Sequence, residues 1–185
     1  MKSNNHTWLA LAAFAVAGFI GLGYKKGKKG ESNMKKSYFT IEELSKSATA
    51  KANGLDNTPP ASVVEKLQAL IDNVLDPARA AYGKPIYVHS GYRSPQVNRL
   101  VGGVSNSQHI AGEAADIDTN NLANNRKLFA IIVEQGNFDQ IIWEGGGSWI
   151  HVSYRGAANR GTIYAQVSGG YKNIKNDWRT YIGLK

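Results

Sequence analysis

The sequence predicts an α+β domain in which a small antiparallel sheet is flanked by helices. Residues 61–81 and 122–135 carry apolar side chains at the spacing of an amphipathic helix. Several shorter runs alternate apolar and polar residues, which is typical of strands with one buried face. Two of these runs, FDQIIWE and WIHVSY, are separated by a turn that contains three glycines. They predict an antiparallel hairpin.

The first elements lie between residue 37 and the middle of the chain. TIEEL, from Thr40, contains the Thr-x-x-Glu capping box and predicts the start of a short helix. The helix over residues 61–81 follows the breaker NTPPAS, and we expect it to end or kink at Pro77, which lacks a backbone N–H. KPIYVHSGY then predicts a strand, because β-branched and aromatic residues alternate with polar ones.

The second half continues the mixture of helices and strands. In SPQVNRLVGG, Ser94 is a candidate N-cap, Pro95 suits the first helical turn and two glycines end the helix. The helix over residues 122–135 is expected to stop at Gly136, since glycine accepts the left-handed conformation common after helices. The hairpin follows, and TIYAQV, from Thr162, predicts one further strand.

Residues 1–36 are predicted as a separate segment, and residues 37–185 as the domain. Residues 8–24 carry no charge and are close to the lower length limit for a membrane-spanning helix. They predict either an uncleaved membrane anchor or a secretory signal peptide cleaved after Ala17. The lysines that follow favour the cytoplasmic side and would oppose export. We expect the Lys- and Gly-rich residues 25–36 to be a flexible tether.

The distribution of charge argues against a nucleic-acid-binding protein. The chain has a net charge of +8, but residues 1–36 hold seven lysines against one glutamate. The rest of the chain holds fifteen Lys and Arg residues against thirteen Asp and Glu residues and is nearly neutral. Its sequence shows neither a basic face nor a platform of aromatic residues, so the main attraction for a phosphate backbone is missing.

The segment SNSQHIAGEAADID contains candidate metal ligands. The chain has no cysteine, so a metal must be held by nitrogen and oxygen atoms. His109 and Asp116 are too far apart for one helical face, but they fit a loop that folds back through Gly112 into a strand carrying Asp116. A catalytic site needs a third ligand, for which His151 is the first candidate and His89 the alternative. Judged by spacing alone, His109, Asp116 and His151 could equally be three polar residues that share no metal site.

Three motifs together resemble the M15 family of zinc peptidases. S-G-Y-R at residues 90–93, S-x-H-x-x-G-x-A-x-D at residues 107–116 and W-x-H at residues 149–151 occur in this order. The family contains D-Ala-D-Ala carboxypeptidases, dipeptidases and phage endolysins that cut the stem peptides of peptidoglycan. The resemblance extends over residues 38–155 and implies a fold like that of the hedgehog domain and the DD-peptidases.

The resemblance also implies roles for individual residues. The implied ligands of Zn²⁺ are His109, Asp116 and His151. Arg93 would be both catalytic and substrate-binding, facing the carbonyl oxygen of the scissile amide or a carboxylate of the substrate. Ser107 would bind substrate through a hydrogen bond. Asp118 would accept a hydrogen bond from a ligand imidazole, or else be a solvated residue at a strand end.

The general base is where the sequence departs from the family pattern. Family members often have Glu or Asp three residues before the last histidine, and here that residue is Ser148. Glu144 is the next candidate, because the hairpin turn would bring it beside the strand that carries His151. An acid there could take a proton from the attacking water and return it to the leaving amine. Asp139 and Glu113 are the weaker alternatives.

We therefore expect a zinc-dependent metallopeptidase, either a carboxypeptidase or an endolysin-like endopeptidase, that cuts peptidoglycan stem peptides. The alternative, favoured by Ser148, is a non-catalytic, zinc-stabilised module that binds the cell wall. A third hypothesis is a membrane-tethered basic protein that binds nucleic acid or anionic lipid through residues 25–36. The first hypothesis places the chain at the cell envelope, anchored to the membrane if residues 1–36 are uncleaved or exported if they are cleaved. The enzyme could serve a host or a phage.

Overall fold

The computed structural model describes residues 37–184. The anchor, signal peptide and tether predicted for residues 1–36 lie outside the described residues. Among the helices that the structure describes, none has the length and apolar character needed to cross a membrane.

The centre of the domain is a six-stranded sheet. Its strands, in chain order, are β1 (Tyr87–Ser90), β2 (Ala114–Asp118), β3 (Gln140–Glu144), β4 (Trp149–Ser153), β5 (Thr162–Val167) and β6 (Gly170–Asn173). They are arranged in the order β1-β2-β4-β3-β5-β6. β3 and β4 form the predicted hairpin, with Glu144 opposite Trp149.

The predicted antiparallel sheet is wrong in one respect, because β3 and β5 are parallel. The reason lies in the hairpin. β2 already occupies the outer edge of β4, so the free edge of the hairpin belongs to β3. The strand that follows β4 must cross to that edge, and there it runs parallel to β3. The other neighbouring strands pair antiparallel, so the sheet is mixed.

Seven α-helices accompany the sheet within residues 37–184. They are α1 (Ile41–Ser45), α2 (Ala48–Ala52), α3 (Ala61–Leu70), α4 (Asp76–Tyr82), α5 (Pro95–Leu100), α6 (Leu122–Gln135) and α7 (Trp178–Tyr181). The predicted helix start at Thr40 is confirmed, since the Thr40 side chain caps α1 by accepting a hydrogen bond from the backbone N–H of Glu43 at 3.1 Å. α2, α7 and β6 were not predicted, because elements this short and exposed show no clear apolar period.

The long helix predicted over residues 61–81 is present as three consecutive segments. α3 passes into a π-helical turn at Ile71–Leu75, and α4 follows directly. Pro77 lies in the first turn of α4, where its missing N–H and its ring are tolerated after a widened turn. The irregularity therefore precedes Pro77, and the helix continues to the left-handed Gly83, which has a φ of 75°.

The alternation of side chains along the central strands separates two faces of the sheet. One face packs into the hydrophobic core together with α6 and the helices that precede β1, and its residues on the central strands are Ala115, Ile117, Ile141, Trp143, Ile150 and Val152. The residues between them, Asp116, Ile142 and His151 among them, line an open cavity on the opposite face. The strand period thus places polar side chains on a rigid floor that the core supports from behind.

Candidate metal centre

Three side chains from two neighbouring strands and the loop before them converge on one point. His109 precedes β2, Asp116 lies on β2, and His151 lies directly opposite Asp116 on β4. Gly112, with a φ of 72°, folds the chain back into β2, and a Cβ there would lie 2.6 Å from Val63 Cγ1. The predicted loop through Gly112 is confirmed, and the structure brings the three predicted ligands together.

The three potential ligand atoms form a nearly equilateral triangle. Asp116 Oδ1 lies 3.0 Å from His151 Nδ1 and 3.2 Å from His109 Nε2. The two nitrogens are 3.3 Å apart. Atoms bound at about 2.0–2.1 Å to a tetrahedral zinc ion are about 3.3–3.4 Å from one another. The donor set, its spacing and its burial therefore fit a zinc ion held by two imidazoles and one carboxylate.

The ring of His109 is oriented by a backbone carbonyl. Its Nδ1 lies 2.7 Å from the carbonyl oxygen of Gly91. That oxygen can only accept, so Nδ1 carries the proton and Nε2 keeps its lone pair for a metal. A Cβ at Gly91 would lie 2.2 Å from the carbonyl oxygen of Leu44. Gly91 was not singled out from the sequence, although the S-G-Y-R motif contains it.

Asp118 does not have the predicted contact with a ligand imidazole. It lies at the end of β2, beyond the three-residue group, and its Oδ1 is 3.1 Å from His89 Nε2. It is not a solvated strand-end residue either, because it is buried where β1 pairs with β2 and places Tyr87 opposite it. The same geometry puts His89, the alternative third ligand, beside Asp118 and outside the group that could hold a metal.

Arg93 contacts one of the candidate ligands. Its Nη2 donates to Asp116 Oδ2 at 2.6 Å, and its Nε donates to Ser90 Oγ at 2.7 Å. The guanidinium thereby holds one carboxylate oxygen and leaves the other facing the imidazoles. Burial raises the pKa of the Asp116 carboxyl, but the adjacent His109 and His151 outweigh burial and hold this pKa well below its usual range. The carboxylate is therefore anionic at neutral pH, as a metal ligand must be.

The cavity beside the group has a volume of about 510 Å³, and Arg93, Ser107 and Glu144 line it. A cavity of this size accommodates a small organic ligand or a short peptide segment. Glu144 Oε2 accepts a hydrogen bond from Trp149 Nε1 at 2.7 Å, which fixes the carboxylate at the end of β3. Ser148, in the position of the usual acid, donates instead to the carbonyl oxygen of Gly145 at 2.8 Å, within the hairpin turn.

Ser107 lies at the same cavity, two residues before His109. Its Oγ accepts a hydrogen bond from the backbone N–H of His109 at 3.3 Å, so the hydroxyl helps to shape the turn that presents the imidazole. Within residues 37–184 the hydroxyl donates to no other group, so its proton is available to a partner in the cavity. The predicted role of Ser107 in binding substrate stays a prediction that this position supports.

Asp139, considered from the sequence only as a weaker alternative for the general base, is a buried carboxylate with a structural role. Asp139, directly before β3, has no exposed surface. It accepts hydrogen bonds from Arg160 Nε and Nη2 at 2.9 and 2.6 Å and from Gln108 Nε2 at 2.8 Å. Burial raises the pKa of Asp139, but its hydrogen bonds with Arg160 and Gln108 outweigh burial and lower that pKa. Gln108 precedes His109 directly, so Asp139 also anchors the turn that carries a candidate ligand.

Replacing Asp139 with asparagine is expected to lower the free energy of unfolding by about 2 kcal/mol at pH 7, because an amide cannot accept all of these hydrogen bonds. The folded pKa of Asp139 is lowered, so its ionised form stabilises the fold above about pH 4 and this stabilisation is lost as the pH falls further. Urea unfolding of wild type and Asp139→Asn in EDTA should show a smaller difference at pH 2.5 than at pH 7. A difference that is the same at both pH values would contradict this account.

Comparison with known proteins adds two findings. A family model described as Peptidase M15 matches residues 37–153, a range that contains all three members of the metal-binding group. Over 71 residues, 38% of this chain, the sequence is 45% identical to the zinc D-Ala-D-Ala carboxypeptidase of Streptomyces albus G. The match covers 22% of that relative's length, so the two proteins share only part of their chains.

Proposed function

The chain belongs to the peptidase M15 family, and from this membership we propose that it is a zinc metallopeptidase that hydrolyses peptide bonds in peptidoglycan stem peptides. The observation that carries the proposal is the triangle of His109 Nε2, Asp116 Oδ1 and His151 Nδ1 at the floor of a cavity that a carboxylate and a guanidinium also line. The name of the carboxypeptidase relative supports both the metal and the substrate class.

Zinc, when bound by these three residues, supplies a Lewis acid that polarises a carbonyl and makes water acidic. The chain contributes the fixed geometry. Gly91 fixes the tautomer of His109, and Arg93 fixes the orientation of Asp116. Asp116 and His151 project from paired strands, and His109 projects from the loop that turns at Gly112. The three side chains therefore need little reorganisation to bind an ion.

Glu144 is the residue that we propose as general base and acid. Trp149 Nε1 donates to its Oε2, and Tyr171, which lines the same cavity, lies beside the same carboxylate, so that burial and Glu144 together raise the Tyr171 pKa. The carboxylate held in this way would accept a proton from the attacking water and pass it to the leaving amine. Arg93 supplies positive charge at the same cavity. We propose that this charge stabilises the oxyanion that forms when water adds to the scissile amide, in addition to its hold on Asp116.

The experiment that tests the function is digestion of purified peptidoglycan with the zinc-loaded chain, followed by mass spectrometry of the released material. Free D-alanine would identify a carboxypeptidase, and larger peptides would identify an endopeptidase of the endolysin type. A protein that holds one zinc ion and binds peptidoglycan without releasing any fragment would instead be the non-catalytic wall-binding module.

We also propose that the protein acts at the cell envelope, where peptidoglycan is found. The support for this location is the substrate class together with the uncharged run at residues 8–24. Fractionation of cells that express the full chain, with detection in the cytoplasm, the membrane and the wall, tests it.

A further inference from the structure

We propose that Arg160 is a specificity-determining residue that binds a carboxylate of the peptide substrate and that Asp139 holds it in position for this purpose. This inference rests on the proposed function, since it concerns the peptide that occupies the cavity. Arg160 places a positive charge at the cavity wall. This charge has no part in the roles proposed for the three zinc ligands and for Glu144.

Arg160 is fixed from one side and open on the other. Two of its nitrogens, Nε and Nη2, donate to the two oxygens of Asp139, and its backbone N–H donates to Asp139 Oδ1 at 3.0 Å. Asp139 is fully buried, whereas 49% of the Arg160 side chain is exposed, and Arg160 lines the cavity. The guanidinium is therefore preorganised with its remaining N–H groups available to the cavity, which is the geometry that suits a carboxylate.

Arg93, the other arginine that lines the cavity, already donates hydrogen bonds to two side chains. Its Nη2 donates to Asp116 and its Nε to Ser90, and only 18% of its side chain is exposed. A substrate carboxylate that relied on Arg93 alone would compete with a candidate metal ligand for the same guanidinium. Asp139, the buried partner of Arg160, does not belong to the group that could hold a metal and is linked to it only through Gln108, so a carboxylate bound by Arg160 would not compete with a candidate ligand.

The position of Arg160 along the cavity separates it from the proposed base. Gln140, Ile142 and Glu144 of β3 line the floor in sequence, with His151 opposite Ile142. Arg160 binds Asp139, directly before Gln140, so it lies at the end of the floor away from Glu144. Asp139 lies three residues before Ile142, and three residues of a strand span about 10 Å. The carboxylate bound by Arg160 would thus lie about three extended residues from the centre of the floor, a distance that the terminal or the lateral carboxylate of a stem peptide can reach.

The test uses four versions of one N-acetylated stem pentapeptide ending in D-Ala-D-Ala. The terminal carboxylate is either free or amidated, and the lateral carboxylate of its glutamate is either free or amidated. Zinc-loaded wild type, Arg160→Gln and Arg160→Lys are compared by KM and kcat. Arg155→Gln is the matched control, because Arg155 has a similar exposure of 42% and pairs with Glu113, but it does not line the cavity.

In wild type we expect amidation of one of the two carboxylates to raise KM about tenfold to a hundredfold, the range for a charge-assisted hydrogen bond. Arg160→Gln should raise KM by the same factor for the acid peptide, leave the amide peptide unchanged and alter kcat by less than about threefold. Arg160→Lys should retain part of the discrimination, and Arg155→Gln all of it. The carboxylate whose amidation matters identifies the group that is bound.

Equal effects of Arg160→Gln on acid and amide peptides, or the same loss in Arg155→Gln, would overturn the inference. If zinc-loaded wild type cleaves none of the peptides, the proposed function fails on this substrate. Calorimetric titration of the same peptides into the same proteins then decides the role of Arg160 separately. A Kd that distinguishes acid from amide only when Arg160 is present supports it, and a Kd that does not distinguish them overturns it.

Discussion

His151→Ala is expected to lose bound zinc and to reduce peptidoglycan hydrolysis by about a thousandfold or more. His151 supplies one corner of the ligand triangle, and two remaining ligands hold a zinc ion far less tightly than three. Loss of the ion removes a stabilisation of the transition state worth several kcal/mol, which corresponds to this factor in rate. The zinc content after dialysis, measured by atomic emission, should fall from one per chain to near zero.

The matched control is His89→Ala, since His89 is 53% exposed, contacts Asp118 and lies outside the triangle. We expect this variant to keep its zinc and its activity. EDTA should lower the Tm of wild type and of His89→Ala, because an ion that binds only the folded chain stabilises it, and should leave the Tm of His151→Ala unchanged. A His151→Ala protein that retains one tightly bound zinc would show that the ligand set is wrong.

Glu144→Gln is expected to keep its zinc and its fold and to lose activity by about a hundredfold to ten-thousandfold, the contribution of a positioned general base and acid. Glutamine has the size of glutamate and can still accept the hydrogen bond from Trp149 Nε1, so the hairpin should be undisturbed. Its amide cannot take a proton from water. Hydrolysis rates, zinc content and circular dichroism of the same preparation separate these effects.

Glu113→Gln serves as the control for Glu144→Gln. Glu113 lies between two candidate ligands in the sequence, but it pairs with Lys66 at 2.8 Å and Arg155 at 3.4 Å and does not line the cavity. We expect it to keep nearly full activity. If Glu144→Gln remains active while Glu113→Gln does not, the base has been assigned to the wrong acid.

Much of the site was predictable because it depends on short-range rules. The glycine at position 112 indicated a loop that returns into a strand, and the strand period then placed Asp116 on one face. The glycine turn after Glu144 indicated a hairpin that brings this acid beside the strand of His151. The roles of these residues as ligands and base stay predictions, which the variants described here test.

The features that escaped prediction depend on contacts between distant parts of the chain. Asp139 accepts hydrogen bonds from Gln108 and Arg160, which lie 31 and 21 residues away in the sequence, and no local sequence pattern predicts such contacts. The carbonyl of Gly91 belongs to the backbone, so its residue type gives no sign that it orients His109. The parallel pairing of β5 with β3 follows from which edge of the hairpin is free, a property of the whole sheet.

The place of β2 and β4 within the sheet also governs how the chain opens. Both strands have a neighbour on each side, whereas β6, at one edge, is exposed throughout. Amide hydrogens of β2 and β4 should therefore exchange with solvent among the slowest in the domain and only through near-global opening, while those of β6 exchange through local fraying. Two of the three candidate ligands stand on this slowest-exchanging pair. Thermal fluctuations that loosen the edges of the domain should accordingly leave the geometry of the metal centre almost untouched.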